Sequence, residues 1–136
     1  MSATLYVSCK KSALPPRDKW HASLKKAGFD VVLDSFDWKG HNGFLPVTYR
    51  GERTGFEMMV EDAKPLAKQL GIKLPDGNDI VVSFEYGSDT EECHAATACS
   101  AALTECVGGV YFDEFSEEML DGAAAVNIAK DSIEND

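Results

Sequence analysis

The sequence predicts an α+β two-layer sandwich: a mixed sheet of five to six strands with helices mainly on one face. Three observations carry this. Runs rich in β-branched and aromatic residues alternate with alanine-rich or amphipathic runs, in the order β-α-β-β-β-α-β-α-β-α. Two of the central strands are joined by a short turn, which requires antiparallel pairing. Helices interleave with the remaining strands, so parallel crossovers around the first and third helices are expected, and these would be right-handed.

The first strand is "TLYVSCK" (Thr4–Lys10). In "ALPPRDKWHASLKKAG", Pro15 and Pro16 suit the first turn of a helix and Gly28 suits its stop, with Trp20, Leu24 and Ala27 at helical spacing toward the core. "FDVVLDSF" (Phe29–Phe36) is a second strand, and "GFLPVTYRGERTGFEMMVE" (Gly43–Glu61) reads as two strands with a turn near Arg50–Arg53. "DAKPLAKQLG" is a short helix that tolerates Pro65 because it falls in the first turn. "LPDGNDI" is a turn, without the glycine and glutamate positions of a calcium loop. It leads into the strand "DIVVSFEYG" (Asp79–Gly87).

A helix follows from Asp89 to Val107. Ser88 and Glu91 stand at capping-box spacing, Asp89, Glu91 and Glu92 favour the positive end of the dipole, and Gly108 and Gly109 close the far end. The strand "GVYFDEF" (Gly109–Phe115) and a terminal helical region with Ser116 as its cap complete a single domain, 1–136, without repeats or linkers.

Three of the four cysteines lie on the long helix. At about 100° per residue, Cys99 and Cys106 share a face with Leu103, Cys93 points about 120° away, and His94 sits on another side. Neither the spacing of zinc ligands nor the two-residue gap of a redox pair is present. The thiols are therefore expected in the core, packed like alanine among Ala95, Ala96, Ala98, Ala101 and Ala102, with no metal and no cofactor. Cysteines at 9, 93, 99 and 106 do not form a secreted disulfide framework, so a reducing cytoplasm is the expected location. The opening residues read as a strand and not as a signal peptide, and no run approaches the apolar length of a membrane span.

Charge is the more informative quantity. The net charge is −10, but residues 1–68 carry eleven Lys/Arg against eight Asp/Glu, whereas residues 69–136 carry two against fifteen. An acidic face of this kind repels phosphates and argues against nucleic acid as a partner. "YFDEFSEEMLD" gathers Asp113, Glu114, Glu117 and Glu118 beside aromatic residues, and with Asp89, Glu91 and Glu92 it forms the expected surface for a basic protein partner. Parallel strands ending in these two clusters would bring them to one end of the sheet. The same carboxylates at helix starts also serve solubility and helix stability without any partner.

"DSFDWKGHNGF" (Asp34–Phe44) is the most loop-like polar segment. Asp37 and His41 have the residue types of an acid–base pair, but no G-x-S-x-G nucleophile motif, dinucleotide fingerprint, phosphate loop or H-E-x-x-H accompanies them. A binding loop with Trp38 as a partly exposed anchor beside His41 is the better expectation, while Trp20 on its helix should be buried.

In "GFLPVTYRGERTGFEMMV" and "AALTECVGGVYFDEFSEEM", the second a helix–Gly-Gly–strand–acidic ending, the chain resembles the small acidic immunity proteins encoded beside secreted bacterial toxins. The resemblance implies a cytoplasmic protein that blocks a toxin by binding it, without catalysis or cofactor. It assigns no particular residue. The rival reading, from a different class, is a small enzyme or small-ligand-binding protein that uses the Asp37/Trp38/His41 loop.

Overall fold

The computed structural model describes residues 2–113 and 118–135. Six strands and four α-helices follow in the predicted order: β1 (Ala3–Cys9), α1 (Arg17–Ala27), β2 (Val31–Leu33), β3 (Gly43–Tyr49), β4 (Glu52–Asp62), α2 (Ala63–Leu70), β5 (Ile80–Tyr86), α3 (Thr90–Val107), β6 (Val110–Asp113) and α4 (Gly122–Glu134). The sheet order is β2-β3-β4-β5-β1-β6, with every adjacent pair antiparallel.

The α+β sandwich is as expected, but the mixed sheet and its parallel crossovers are not. β5 and β6 do run in the same direction, yet β1 lies between them and pairs with both. The α3 crossover therefore joins strands two places apart, and no parallel ladder forms. β1 and β5 are interior neighbours in the sheet, and each is an almost unbroken buried run, Leu5–Cys9 and Ile80–Phe84, as a strand covered on both faces requires.

Alternation along these strands divides the sheet into two faces. Leu5, Val7, Val47, Phe56, Met58, Val82 and Phe84 point toward α1, α3 and α4 and form the main core. Tyr6, Val81 and Phe112 point the other way, where Ala63 and Leu66 of α2 meet them together with Ile72, Leu74 and Met119. Trp20, Leu24 and Ala27 are buried as their spacing predicts. The alanine-rich α3 is buried along most of its length, against the sheet and against α1 and α4.

Turn chemistry explains the joints. Arg50 and Gly51 both adopt positive φ, at 49° and 80°, and link Tyr49 to its partner Glu52 as a two-residue primed hairpin turn. Gly28 ends α1 in the left-handed region at φ 89°, donating to the carbonyls of Leu24 and Lys25.

Three expected boundaries shift. The cap of α3 is Asp89, whose carboxylate accepts from the Glu91 amide at 3.3 Å, rather than Ser88, because the helix starts one residue later at Thr90. α4 starts at Gly122, capped by Asp121 accepting from Ala124 N at 2.9 Å. The predicted cap, Ser116, lies outside the described residues. Leu120 cannot be helical, since it forms a two-way backbone bridge to Tyr111 that covers the β6 edge. β2 ends at Leu33, short of Phe36, because Phe36 leaves the sheet to pack edge-on against Trp20.

The four thiols also divide. Cys9 and Cys99 are buried, whereas Cys93 and Cys106 are half-buried, so the expectation of three core thiols on α3 holds in full only for Cys99. The reason is position: Cys93 falls in the first turn and Cys106 in the last, where the helix leaves its neighbours. Burial, and then the charge of Asp79, push the Cys9 thiol up to about 11, and burial alone raises Cys99 further. Thiolate is the reactive form. At pH 8, Ellman's reagent should therefore label Cys93 and Cys106 promptly and reach Cys9 and Cys99 only after denaturant is added. Four equally fast thiols in the native protein would contradict this packing.

Candidate functional site

The structure brings two of the predicted acidic groups to the same end of the sheet. β5 and β6 both run antiparallel to β1, so the carboxyl ends of both strands lie at its amino end, Tyr86 opposite Ala3 and Asp113 opposite Leu5. Asp89, Glu91 and Glu92 start α3 directly after β5. Tyr111 of β6 lies at this end, near Asp113, Tyr86 and Cys93. Burial raises its phenol above the usual range, and Asp113, Tyr86 and Cys93 act on it as neighbours in the same direction.

The second group is not a helix start as expected. Glu118 is exposed and precedes α4 by four residues, in the stretch that leads to the Tyr111–Leu120 bridge. Glu114 and Glu117 lie outside the described residues. Of the described residues in the two predicted groups, Asp89, Glu91 and Glu92 stand at a helix amino terminus, whereas Asp113 lies on β6 and Glu118 before α4.

The Trp38–His41 loop belongs to a different place. Gly43, which follows it, and Asp113 share one transverse row, Gly43–Met58–Phe84–Leu5–Asp113, at its two extremes. Four strand spacings of about 4.8 Å separate them by roughly 19 Å. The loop and the acidic end do not form a single site.

Within the loop the side chains are occupied. Trp38 is half-buried and Trp20 buried, as the sequence predicts. However, the Trp38 ring stacks on Trp20 with centroids 5.5 Å apart, meets Phe36 at 4.9 Å, and donates its indole N–H to the Pro15 carbonyl. It closes the core rather than standing free as an anchor. Asp37 shapes the turn, accepting from the Lys39 amide at 3.1 Å through its carboxylate and from the His41 amide at 2.9 Å through its carbonyl. His41 donates from Nε2 to the Gly43 carbonyl at 3.0 Å and packs edge-on against Phe36. Both polar groups thus bond to the loop's own backbone, as residues that fix a turn do.

Two further polar pairs lie outside these groups. Tyr49 Oη and His94 Nδ1 are 3.1 Å apart in the core beneath the start of α3. Arg53 makes a fork of two 2.9 Å bonds to Asp34, which holds the Asp34 carboxyl below its ordinary range. Among the described residues, no three His, Cys, Asp or Glu side chains are placed to hold a metal ion, and no helix is long and apolar enough to cross a membrane.

Sequence reasoning missed one surface. Val32, Phe44 and Met59 are exposed at 46, 52 and 41 %, the first on β2 and the others on β3 and β4, all on the face opposite the main core. The signal was present in the strand parity: Leu45, Val47 and Tyr49 point inward, so Phe44 must point outward. Compared with protein-family models, curated proteins and solved structures, the chain finds no match.

Proposed function

We propose that the chain is a non-catalytic binding protein, an immunity protein that neutralises a cognate bacterial toxin by direct contact through its acidic surface. The observation that supports this reading most is the gathering of Asp89, Glu91 and Glu92 with Asp113 at one end of the sheet, in a chain whose second half has a net charge of −13 from two Lys/Arg and fifteen Asp/Glu. A focused negative field of this kind attracts a basic partner and accelerates encounter.

The test is copurification of the affinity-tagged chain from the organism that encodes it, followed by mass spectrometry and association kinetics with the captured protein. A basic protein of toxin type is expected. Raising the salt from 0.05 to 0.5 M should slow association on the order of tenfold, and E91K/E92K should slow it comparably at low salt. The fold should survive the reversal with a modest loss from placing lysines at the amino end of α3, since Glu91 is exposed and Glu92 half-buried. An association rate indifferent to both salt and charge reversal would assign the carboxylates to solubility alone.

A further inference from the structure

The sheet is covered unequally. On the main-core face α1, α3 and α4 lie across it, whereas on the opposite face Tyr6, Val81 and Phe112 are covered by α2 together with Ile72, Leu74 and Met119. Further along that face α2 touches only the end of β4 that leads into it, and among the described residues Val32 on β2, Phe44 on β3 and Glu57 and Met59 on β4 remain exposed. Met59 shows the boundary: it shares a transverse row with Ser83, Tyr6 and Phe112, and Tyr6 and Phe112 are buried whereas Met59 is not.

This open half presents both apolar and acidic side chains. Phe44 lies flat across Gly55, where a Cβ would come within 2.4 Å of its ring, so the strand itself supports the ring as a platform. Next to Phe44 in its row are Glu57 and then Glu85, directly paired across β4 and β5. Like charges facing each other on adjacent strands repel. Among the described residues no cation stands within ion-pair distance of either, and Arg53, four residues before Glu57 on β4, is bound to Asp34. Glu61 adds a third carboxylate two residues beyond Met59.

We propose that this open half of the sheet is the docking surface for a basic amphipathic helix of a partner protein, its apolar stripe on Val32, Phe44 and Met59 and its lysine or arginine side chains between Glu57 and Glu85. A helix is the element that completes a layer beside α2, and its cations relieve the repulsion that the sheet leaves in place. A second copy of the chain is disfavoured, because it would bring a charge of −10 and set the same carboxylates against each other. The inference rests on the reading of the chain as a partner-binding protein, and it moves the contact itself from the acidic end, which steers, to the neighbouring face, which holds.

The probe is an 18-residue leucine–lysine helical peptide with all its leucines on one face, titrated into the ¹⁵N-labelled protein and followed by amide shifts and calorimetry. Shifts should concentrate on β3, β4 and β5. The alanine-for-leucine peptide, of equal charge, should bind at least tenfold more weakly. Phe44→Ser/Met59→Ser should weaken the leucine peptide by at least tenfold, and Met59→Ser alone, which leaves the Phe44 platform in place, should weaken it severalfold. E57Q/E85Q should weaken it and flatten its salt dependence. Absence of binding, shifts centred on the start of α3, or equal binding of the two peptides would overturn the proposal, as would a dimer of the protein that Met59→Ser dissolves. A copurified partner whose binding leaves these strands unperturbed defeats the docking surface but not the partner-binding reading. A peptide seated here with no protein ever copurifying defeats the function and keeps the surface.

Discussion

Trp20→Ala should cost about 3–5 kcal/mol, the largest loss expected from any single truncation in this chain. Trp20 is fully buried at the point where α1, α3, the sheet and the 34–42 segment meet. Its ring stacks on Trp38, takes Phe36 and Phe84 edge-on at 5.7 and 6.1 Å, and donates its indole N–H to the Cys99 carbonyl at 3.0 Å. Alanine would leave a cavity in the main core and remove the surface on which Trp38 rests. A domain of this size holds on the order of 10 kcal/mol in total, so the urea midpoint should fall sharply. Trp20→Phe keeps a ring but loses the bond to Cys99, and its cost should be clearly smaller. Equal costs for the two variants would mean that the hydrogen bond rather than the volume dominates.

Gly122→Ala should destabilise the protein by about 1–3 kcal/mol, the cost of forcing extra volume into a closed contact. Ordinary helix propensity predicts the opposite sign, since alanine is favoured over glycine in a helix by about 1 kcal/mol. Tertiary packing reverses it here. Gly122, the first residue of α4, is buried where α4 meets α3, and a Cβ would come within 2.4 Å of Glu105 Cα and 2.8 Å of Glu105 N. Both are backbone atoms, so neither can swing away, and the two helices would have to part. Gly108→Ala is the comparison: it has open space around it but a left-handed φ of 64°, so its penalty is conformational only, about 1 kcal/mol. Thermal unfolding of the two variants separates the causes. A stabilised Gly122→Ala would show that the α3–α4 contact is looser than this geometry.

Much of the local structure was legible because it depends on neighbours a few residues apart. The Gly28 exit of α1, the Arg50–Gly51 hairpin turn and the order of the ten described elements follow from short-range dihedral preferences and periodicity, whereas Pro15 and Pro16 precede the first turn instead of lying in it, since α1 starts at Arg17 with Pro16 as its cap. The absence of metal-ligand spacing on α3 could be read in the same way, since a helix fixes the angle between its own residues. The candidate site was legible in part: the common direction of β5 and β6 could be anticipated, and it brings Asp113 to the end where α3 starts. The role of Trp38 could not, because its indole is taken up by Trp20 and Pro15, which no local pattern places beneath it.

By itself, the sequence determined which segments become strands and helices, which face of α1 turns inward, and how strongly acidic the second half is. Only the tertiary structure decided that β1 enters between β5 and β6, so that the sheet is antiparallel throughout, and that α2 crosses to the opposite face. The physical reason is that an alternating strand states what it must bury but not which strand lies beside it: Leu5 and Val7 would be equally buried beside several partners. Pairing is settled by the whole set of contacts at once. The exposure of Phe44 and Met59 follows from that settlement, since among the described residues α1, α3 and α4 cover one face and α2 covers only part of the other.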